Sequence, residues 1–195
     1  ENDTFLINKL EELDITNYSA IVVSDYQKGF FSDDLLQFLI NKCNEKLIPI
    51  FIDTKNKNNL WIKNAFCLKI NEHEFNILFK NYRISKNSNS DVVLENVSSA
   101  RKSKNILNLI VTRGSLGSVS SNPHESIHSP AKKVEVNDIT GAGDAFLAGI
   151  IYSFLNANYI NKNKKFVDHH DLKLGNLASS SVILFSGTVP ISEIC

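Results

Sequence analysis

Short apolar runs alternate along the chain with segments whose apolar side chains recur at helical spacing. Residues 20–25 form a short β-branched run that ends in polar residues, which is typical of a buried parallel strand. Ser32 follows as an N-cap, and the two aspartates after it suit the first turn of a helix. The apolar face of that helix comprises Leu35, Leu36, Leu39, Ile40 and Cys43. Cys43 is therefore most simply a core thiol.

Three further apolar runs predict strands at residues 48–53, 67–70 and 106–112. A short helix follows the second of these runs, and residues 91–104 have the spacing of a longer helix. Strands and helices therefore alternate through the first half of the sequence.

The pattern changes after residue 112. Residues 114–130 are rich in Gly, Ser, Asn and Pro, and short alternating pieces within them predict antiparallel edge strands and turns. Residues 133–136 predict one more short strand. The remainder predicts an apolar helix at 145–157, a polar, lysine-rich connection at 158–171 and a last helix at 172–185.

This alternation predicts an α/β fold with a mainly parallel central sheet and helices on both faces. In such folds ligands bind beyond the carboxyl ends of the strands. Asp25, Asp53, Asn71 and Thr112 lie at those ends. We expect residues 1–195 to form one domain, because the sequence contains neither an internal repeat nor an interdomain linker.

Composition excludes several classes of protein. The 195 residues are 43% hydrophobic and 22% charged, which is enough apolar material for a core. Lys and Arg total 21, as do Asp and Glu, and this balance argues against a nucleic-acid partner. No apolar run has the length of a membrane span, and the three scattered cysteines suit the cytoplasm. Methionine is absent even at position 1, so we expect part of the working protein to lie outside this sequence.

The densest chemical signal is the segment from Asp138 to Asp144, which opens an apolar helix. Gly141, Ala142 and Gly143 are small enough for a ligand to approach the backbone closely. Their N–H groups, with the positive end of the helix dipole, form an anion hole suited to phosphate. Asp144 is placed there to accept a proton from an attacking hydroxyl. The alternative is an ordinary glycine turn with an acidic N-cap, but an aspartate at each end of T-G-A-G is rarer.

This D-x-T-G-A-G-D segment resembles the second signature of the ribokinase-like (PfkB) carbohydrate kinases, a family whose likeness extends from Ile21 to about Ile191. Within the family, residues 24–29 (Ser-Asp-Tyr-Gln-Lys-Gly) look most like the kinases that phosphorylate heptose 7-phosphate on the way to ADP-heptose. The family's first signature, its β-lid and much of its sugar-binding surface are not found here.

The resemblance implies binding sites for ATP and for metal ions. One element matches the family's N-x-x-E motif for Mg²⁺ and nucleotide phosphates, namely Asn71, Glu72, His73 and Glu74, with Glu74 holding Mg²⁺ through water. A second matches its T-x-G-x-x-G nucleotide loop, namely Thr112, Arg113, Gly114, Ser115, Leu116 and Gly117. Asn176 matches a position near the adenine, and residues 186–188 match the turn that closes that pocket. Asp138 and Thr140 match part of a K⁺ site that backbone carbonyls near Val182, Phe185 and Gly187 would complete.

Other candidates have simpler interpretations. His73 alone is more typical of a surface or helix-start residue than of a ligand. His169 and His170 are adjacent and so point in different directions, which favours a solvated linker over a metal site. Lys28 fits a contact with a substrate phosphate and a plain loop equally well. The sequence contains no P-loop motif and no dinucleotide-binding fingerprint.

Together these features predict the nucleotide-binding, catalytic part of a cytoplasmic, ATP-dependent sugar kinase. Its partner would be a small sugar or sugar phosphate, with neither nucleic acid nor membrane involved, and a homodimer is compatible with the resemblance. Two alternatives stay open: a nucleoside or other small-molecule kinase of the same fold, and a non-catalytic nucleotide-binding module. Asp144 argues against the second, because a pure binder has no need of a base at the anion hole.

Overall fold

The computed structural model describes residues 2–58, 61–161 and 164–185. Within these ranges the chain alternates between strands and helices. The strands are β1 (Ile21–Asp25), β2 (Ile50–Thr54), β3 (Cys67–Asn71), β4 (Asn108–Thr112), β5 (Ser118–Ser121) and β6 (Ser126–Ser129). The α-helices are α1 (Asn2–Glu12), α2 (Asp33–Glu45), α3 (Glu72–Leu78), α4 (Ser90–Ser103), α5 (Ala142–Asn161) and α6 (His169–Val182).

The strands form one sheet in the order β1-β2-β3-β4-β5-β6. The first four are parallel, whereas β5 and β6 run antiparallel. The register pairs Ser24 with Asp53 and Asn71 with Thr112, so the polar strand ends lie along one edge of the sheet. The mainly parallel sheet and the two antiparallel edge strands are thus confirmed.

Helices cover both faces of this sheet. Ile52, Ile70 and Val111 point to a core shared with α2, α3 and α4. Phe51 and Ile110 point the opposite way, toward α5 and α6, because successive side chains of a strand alternate between faces. The outer edge of β1 pairs with no strand among the described residues, and Val22 there is 49% exposed.

The two helices on the second face pack closely through glycines. An added Cβ on Gly149 of α5 would lie 2.9 Å from the Leu174 carbonyl oxygen, and one on Gly175 of α6 would lie 3.0 Å from Ile150. Although α5 is long and apolar, none of the helices in the described ranges combines the length and hydropathy needed to cross a bilayer.

Three predictions about elements need correction. Residues 133–136 form no strand; they lie beside a cavity and make no ladder. The connection predicted at 158–171 is shorter, because α5 extends to Asn161 and α6 begins at His169. Helix α1 was not predicted, and its C-terminal end is held by tertiary contact: the Lys42 ammonium donates to the carbonyls of Leu10, Glu11 and Leu13.

Candidate active site

A cavity of about 900 Å³ opens at the carboxyl ends of the parallel strands. The strand ends contribute Asp53, Asn71 and Thr112 to its lining, and the start of α5 contributes residues 141–144. Residues 131–134 and Asn176 of α6 line another side. The topology thus brings together the segments that the sequence marked separately.

The anion-hole segment lies at the N-terminus of α5. Gly141 has φ +76°, a conformation that side chains with a Cβ rarely adopt, and it leads into the first helical turn. The Ala142 N–H donates to the Ile139 carbonyl over 3.2 Å. Further N–H groups of a first turn have no intrahelical acceptor, so this end of α5 can bind an anion from the cavity.

Asp144 projects from the same turn and is exposed. Its two carboxylate oxygens accept hydrogen bonds from the Tyr26 hydroxyl, at 2.8 and 2.7 Å. This hydrogen bond, followed by burial and the negative charge of Asp144, raises the pKa of Tyr26. Sequence analysis did not single out Tyr26, although its place directly after the strand-ending Asp25 was a usable signal.

Lys69 is a second site residue that sequence analysis missed. Its ammonium is buried and lies 2.5 Å from a carboxylate oxygen of Asp53. A Cβ on Gly143 would lie only 2.9 Å from that ammonium, so the cation sits directly beside the anion hole. Burial raises the pKa of Asp53 in spite of the attraction of Lys69. A lysine inside the apolar run of β3 was the available signal.

Asn71 and Glu74 meet in a capping box at the start of α3. The Asn71 side chain accepts from the Glu74 N–H at 2.9 Å, and the Glu74 carboxylate accepts from the Asn71 N–H at 2.7 Å. Both side chains line the cavity. Burial is the main cause that raises the pKa of Glu74, with Asp53 adding to it. A cation bound beside Glu74 would offset the cost of burying its negative charge.

Three of the expected nucleotide-binding residues turn away from the main cavity. Arg113 donates to the Glu72 carboxylate over 2.8 Å and to the Ser85 carbonyl over 2.7 Å. His73 is exposed and lines a neighbouring cavity of about 300 Å³. Arg113 therefore ties the start of the loop after β4 to the start of α3 and to the chain at Ser85.

Part of the loop after β4 lines the cavity. Thr112, Gly114 and Ser115 line it, whereas Leu116 and Gly117 do not. Gly117 has φ +85°, and a Cβ there would lie 2.1 Å from the Ser129 carbonyl oxygen. This glycine is needed for the loop to pass close to β6.

Asn176 is nearly buried in α6 and joins that helix to the edge strands. Its amide nitrogen donates to the Ser129 carbonyl and hydroxyl and to the Pro130 carbonyl, and its oxygen accepts from Ser118. It lines the cavity wall while its own hydrogen bonds are made within the protein. It therefore shapes this wall of the cavity and fixes α6 against the edge strands.

The residues that the family resemblance assigns to K⁺ lie only partly within the described residues. Asp138 accepts from the Thr140 N–H at 2.9 Å and from its hydroxyl at 2.8 Å, and Thr140 lines the cavity. Residues 186–188, including Gly187, lie outside the described residues. In the described ranges no group of three or more His, Cys, Asp or Glu side chains could hold a metal. His169 and His170 begin α6, and the adjacent Asp168 caps it.

Comparison with known proteins covers nearly the whole chain. The family model for the pfkB family carbohydrate kinases matches residues 4–195. The Bifunctional protein HldE of Sulfurimonas denitrificans is 30% identical over 191 residues, which is 97% of this chain and 37% of that protein. HldE of Campylobacter curvus is 31% identical, over 97% of this chain and 38% of its own. The chain thus spans less than two-fifths of these curated relatives.

Solved structures show the same fold. The Escherichia coli phosphofructokinase-2 in complex with potassium matches with a TM-score of 0.71 at 19% identity, over 95% of this chain and 56% of its own. The Arabidopsis thaliana ribokinase complexed with ribose and ATP matches with a TM-score of 0.69 at 18% identity, over 88% of this chain and 52% of its own. The ribokinase-like fold expected from the sequence is confirmed.

Proposed function

Since the chain belongs to the pfkB family of carbohydrate kinases, we propose that it transfers the γ-phosphoryl group of ATP to a hydroxyl of a sugar or sugar phosphate. Residues 1–195 would form one domain, the nucleotide-binding and catalytic part of that kinase. The observation that carries this proposal is the Asp144 carboxylate at the anion-binding end of α5, within the cavity at the strand ends.

The chemistry follows from that juxtaposition. Gly141, Ala142 and Gly143 hold charge on the transferring phosphoryl group with backbone N–H groups, and the adjacent Lys69 ammonium adds a positive charge. Asp144 accepts the proton of the attacking hydroxyl. The bond to the acceptor oxygen forms as the bond to ADP breaks, so that ADP leaves and a phosphate ester remains.

The nucleotide and its metal fit the remaining lining. Carboxylate and amide oxygens are the donors that Mg²⁺ prefers, and Glu74 with Asn71 supplies them beside the anion hole. Bound Mg²⁺ neutralises phosphate charge, and Glu74 would hold it through water. Thr112, Gly114 and Ser115 would contact the nucleotide, with Asn176 near the base. Asp138 and Thr140 offer oxygens to K⁺, as the family resemblance implies.

We also propose which sugar phosphate accepts the phosphoryl group. The resemblance of residues 24–29 to heptose 7-phosphate kinases, and the likeness to two HldE proteins, support a heptose 7-phosphate acceptor. We place this activity in the cytoplasm, since Cys43 and Cys67 are buried free thiols. A homodimer stays a prediction that sedimentation would test.

Asp144→Asn is the decisive variant, assayed in the complete protein that carries this chain. The amide keeps the size of the side chain but cannot take the proton, so kcat should fall by roughly 10²- to 10⁴-fold. The Michaelis constant for ATP should change little, because the lost interaction exists mainly in the transition state. Glu95→Gln, at an exposed carboxylate of α4, is the matched control. If Asp144→Asn keeps more than about half of the parent rate, Asp144 is not the base.

A further inference from the structure

The hydroxyl of Tyr26 is hydrogen-bonded to Asp144, the proposed base. Its neutral hydroxyl donates to both carboxylate oxygens of Asp144 across 118 residues of sequence. The hydroxyl of an acceptor substrate would also donate a hydrogen bond to Asp144, as the Tyr26 hydroxyl does. Because the Tyr26 hydroxyl lies within hydrogen-bond distance of both carboxylate oxygens, an acceptor hydroxyl that takes the same position must displace it.

Hydrogen bonds fix the backbone of the residues immediately before and after Tyr26. Asp25 is buried, accepts a hydrogen bond from the Thr54 hydroxyl at 2.8 Å and accepts another from the Gln27 N–H at 2.8 Å. Gln27 has φ +56°, so the chain turns sharply just after Tyr26. These contacts fix where the ring starts but do not hold its far end.

The ring itself lies at the protein surface. Tyr26 is 50% exposed, and the Lys55 ammonium lies 5.0 Å from the ring centroid. The ring lines both the main cavity and the neighbouring cavity of about 300 Å³. A side-chain rotation can therefore move the phenol off Asp144 without disturbing the core.

We propose that the Tyr26 hydroxyl is a displaceable cap on Asp144, which denies the base to water until an acceptor hydroxyl replaces it. This inference rests on the proposed function. Without the cap, water could donate its proton to Asp144 while its oxygen attacks the γ-phosphorus. ADP would then leave, and ATP would be hydrolysed to ADP and inorganic phosphate.

The test measures ATP hydrolysis without acceptor in the complete protein. Tyr26→Phe should raise that rate by about two- to tenfold, the factor that one net hydrogen bond is worth. The increase should vanish in the Tyr26→Phe/Asp144→Asn double variant, because the base is gone. Tyr152→Phe, at an exposed tyrosine of α5, should leave the rate unchanged.

A second measurement separates a cap from a structural hydrogen bond. With heptose 7-phosphate as acceptor, Tyr26→Phe should lower the Michaelis constant of the acceptor by the same factor and leave kcat unchanged. An unchanged rate of hydrolysis, a fall in kcat, or transfer of the phosphoryl group onto Tyr26 itself would overturn the cap. If the parent protein transfers no phosphoryl group to a sugar or sugar phosphate, the proposed function fails; if transfer occurs and requires Asp144 but Tyr26→Phe does not raise hydrolysis, only the cap fails.

Discussion

Gly143 and Lys69 lie so close together that a change at one must move the other. An added Cβ at Gly143 would come within 2.9 Å of the Lys69 ammonium, which is paired with Asp53. We expect Gly143→Ala to fold, because a lysine end can shift, but to weaken ATP binding by about tenfold or more, the worth of a hydrogen bond to a charged group. Isothermal calorimetry measures the affinity directly.

A double-mutant cycle identifies the cause of that loss. Lys69→Gln should weaken ATP binding by itself, and adding Gly143→Ala to it should cost less than Gly143→Ala does in the parent chain. Strictly additive losses would show that the glycine acts by backbone approach alone and not through the ammonium. Comparable melting temperatures for the variants are the control for folding.

Single residues of the candidate site were predictable only where they belong to a short motif of neighbouring positions. Asp144 and its glycines stand in one short motif, and the capping box of Asn71 and Glu74 is a local pattern as well. The Tyr26–Asp144 hydrogen bond joins residues 118 apart, which no local pattern indicates. Arg113 stood in the expected nucleotide loop, but its side chain pairs with Glu72, the first residue of α3, which is 41 positions away in sequence.

At the scale of elements, the contact between α5 and α6 depends on the absence of a side chain at Gly149. Gly→Ala normally stabilises a helix by about 1 kcal/mol. Here the new Cβ would lie 2.9 Å from the Leu174 carbonyl and 3.0 Å from Ala178, so overpacking should prevail. We expect Gly149→Ala to lower the free energy of unfolding by up to about 2 kcal/mol, which is an overpacking cost of about 1–3 kcal/mol less the helix gain of about 1 kcal/mol.

Urea denaturation checks this expectation, with Asn156→Ala as the control. Asn156 is an exposed position of the same helix, so its replacement should be neutral or stabilising by about 0.5 kcal/mol. A Gly149→Ala variant more stable than the parent would show that the two helices can move apart at no cost.

The start of α6 makes stability depend on pH. Burial alone would raise the pKa of Asp168, but the Lys164 ammonium and the N–H groups of Asp171 and His170 outweigh it, so the pKa is lowered. The stability from this carboxylate is therefore full above the ordinary pKa of 3.8 and is lost as the pH falls through the lowered value. Asp168→Asn keeps a capping oxygen but has no charge to titrate.

We therefore expect Asp168→Asn to be less stable than the parent at neutral pH and equally stable in strong acid. Asp168→Ala should lower the free energy of unfolding by about 0.5–2 kcal/mol at every pH, because it removes the helix cap as well as the charge. Thermal melts at several pH values measure both variants. A difference between parent and Asp168→Asn that does not shrink in acid would contradict the role assigned to the charge.

Elements with a strong period were the predictable ones. The apolar runs of β1 to β4 and the amphipathic face of α2 appear where the pattern placed them, with shifts of one or two residues. The failures have tertiary causes. Residues 133–136 have a strand-like sequence but lie along a cavity, and α1 gains its C-terminal capping from Lys42, a residue of the next helix.

At the scale of the whole molecule, the cavity predicts that nucleotide binding stabilises the fold. It is lined by α3 from one face of the sheet, by α5 and α6 from the other, and by the ends of β3 and β4, so a bound nucleotide contacts elements on both faces. We expect weak but measurable binding of Mg-ATP by this chain. At about 100 times its dissociation constant the nucleotide should add about 2.7 kcal/mol to the free energy of unfolding.

Calorimetry at millimolar nucleotide and thermal melts test this together. At about 100 times the dissociation constant that calorimetry gives, the melting temperature should rise by about 5–10 °C for a chain of this size, and by less at lower nucleotide concentrations. Mg²⁺ alone serves as the control. Absence of any heat from ATP or ADP, with the chain demonstrably folded, would contradict the assignment of the loop after β4 to the nucleotide.

The unpaired edge of β1 affects the solubility of the chain. Its outward N–H and C=O groups have no strand partner in the described part of the chain, and Val22 beside them is half exposed. Such an edge is a template on which a foreign strand can add, which is how sheets begin to aggregate. The formal net charge of zero supplies no long-range repulsion against that contact. The solubility of this polypeptide is therefore governed by whether a strand covers β1.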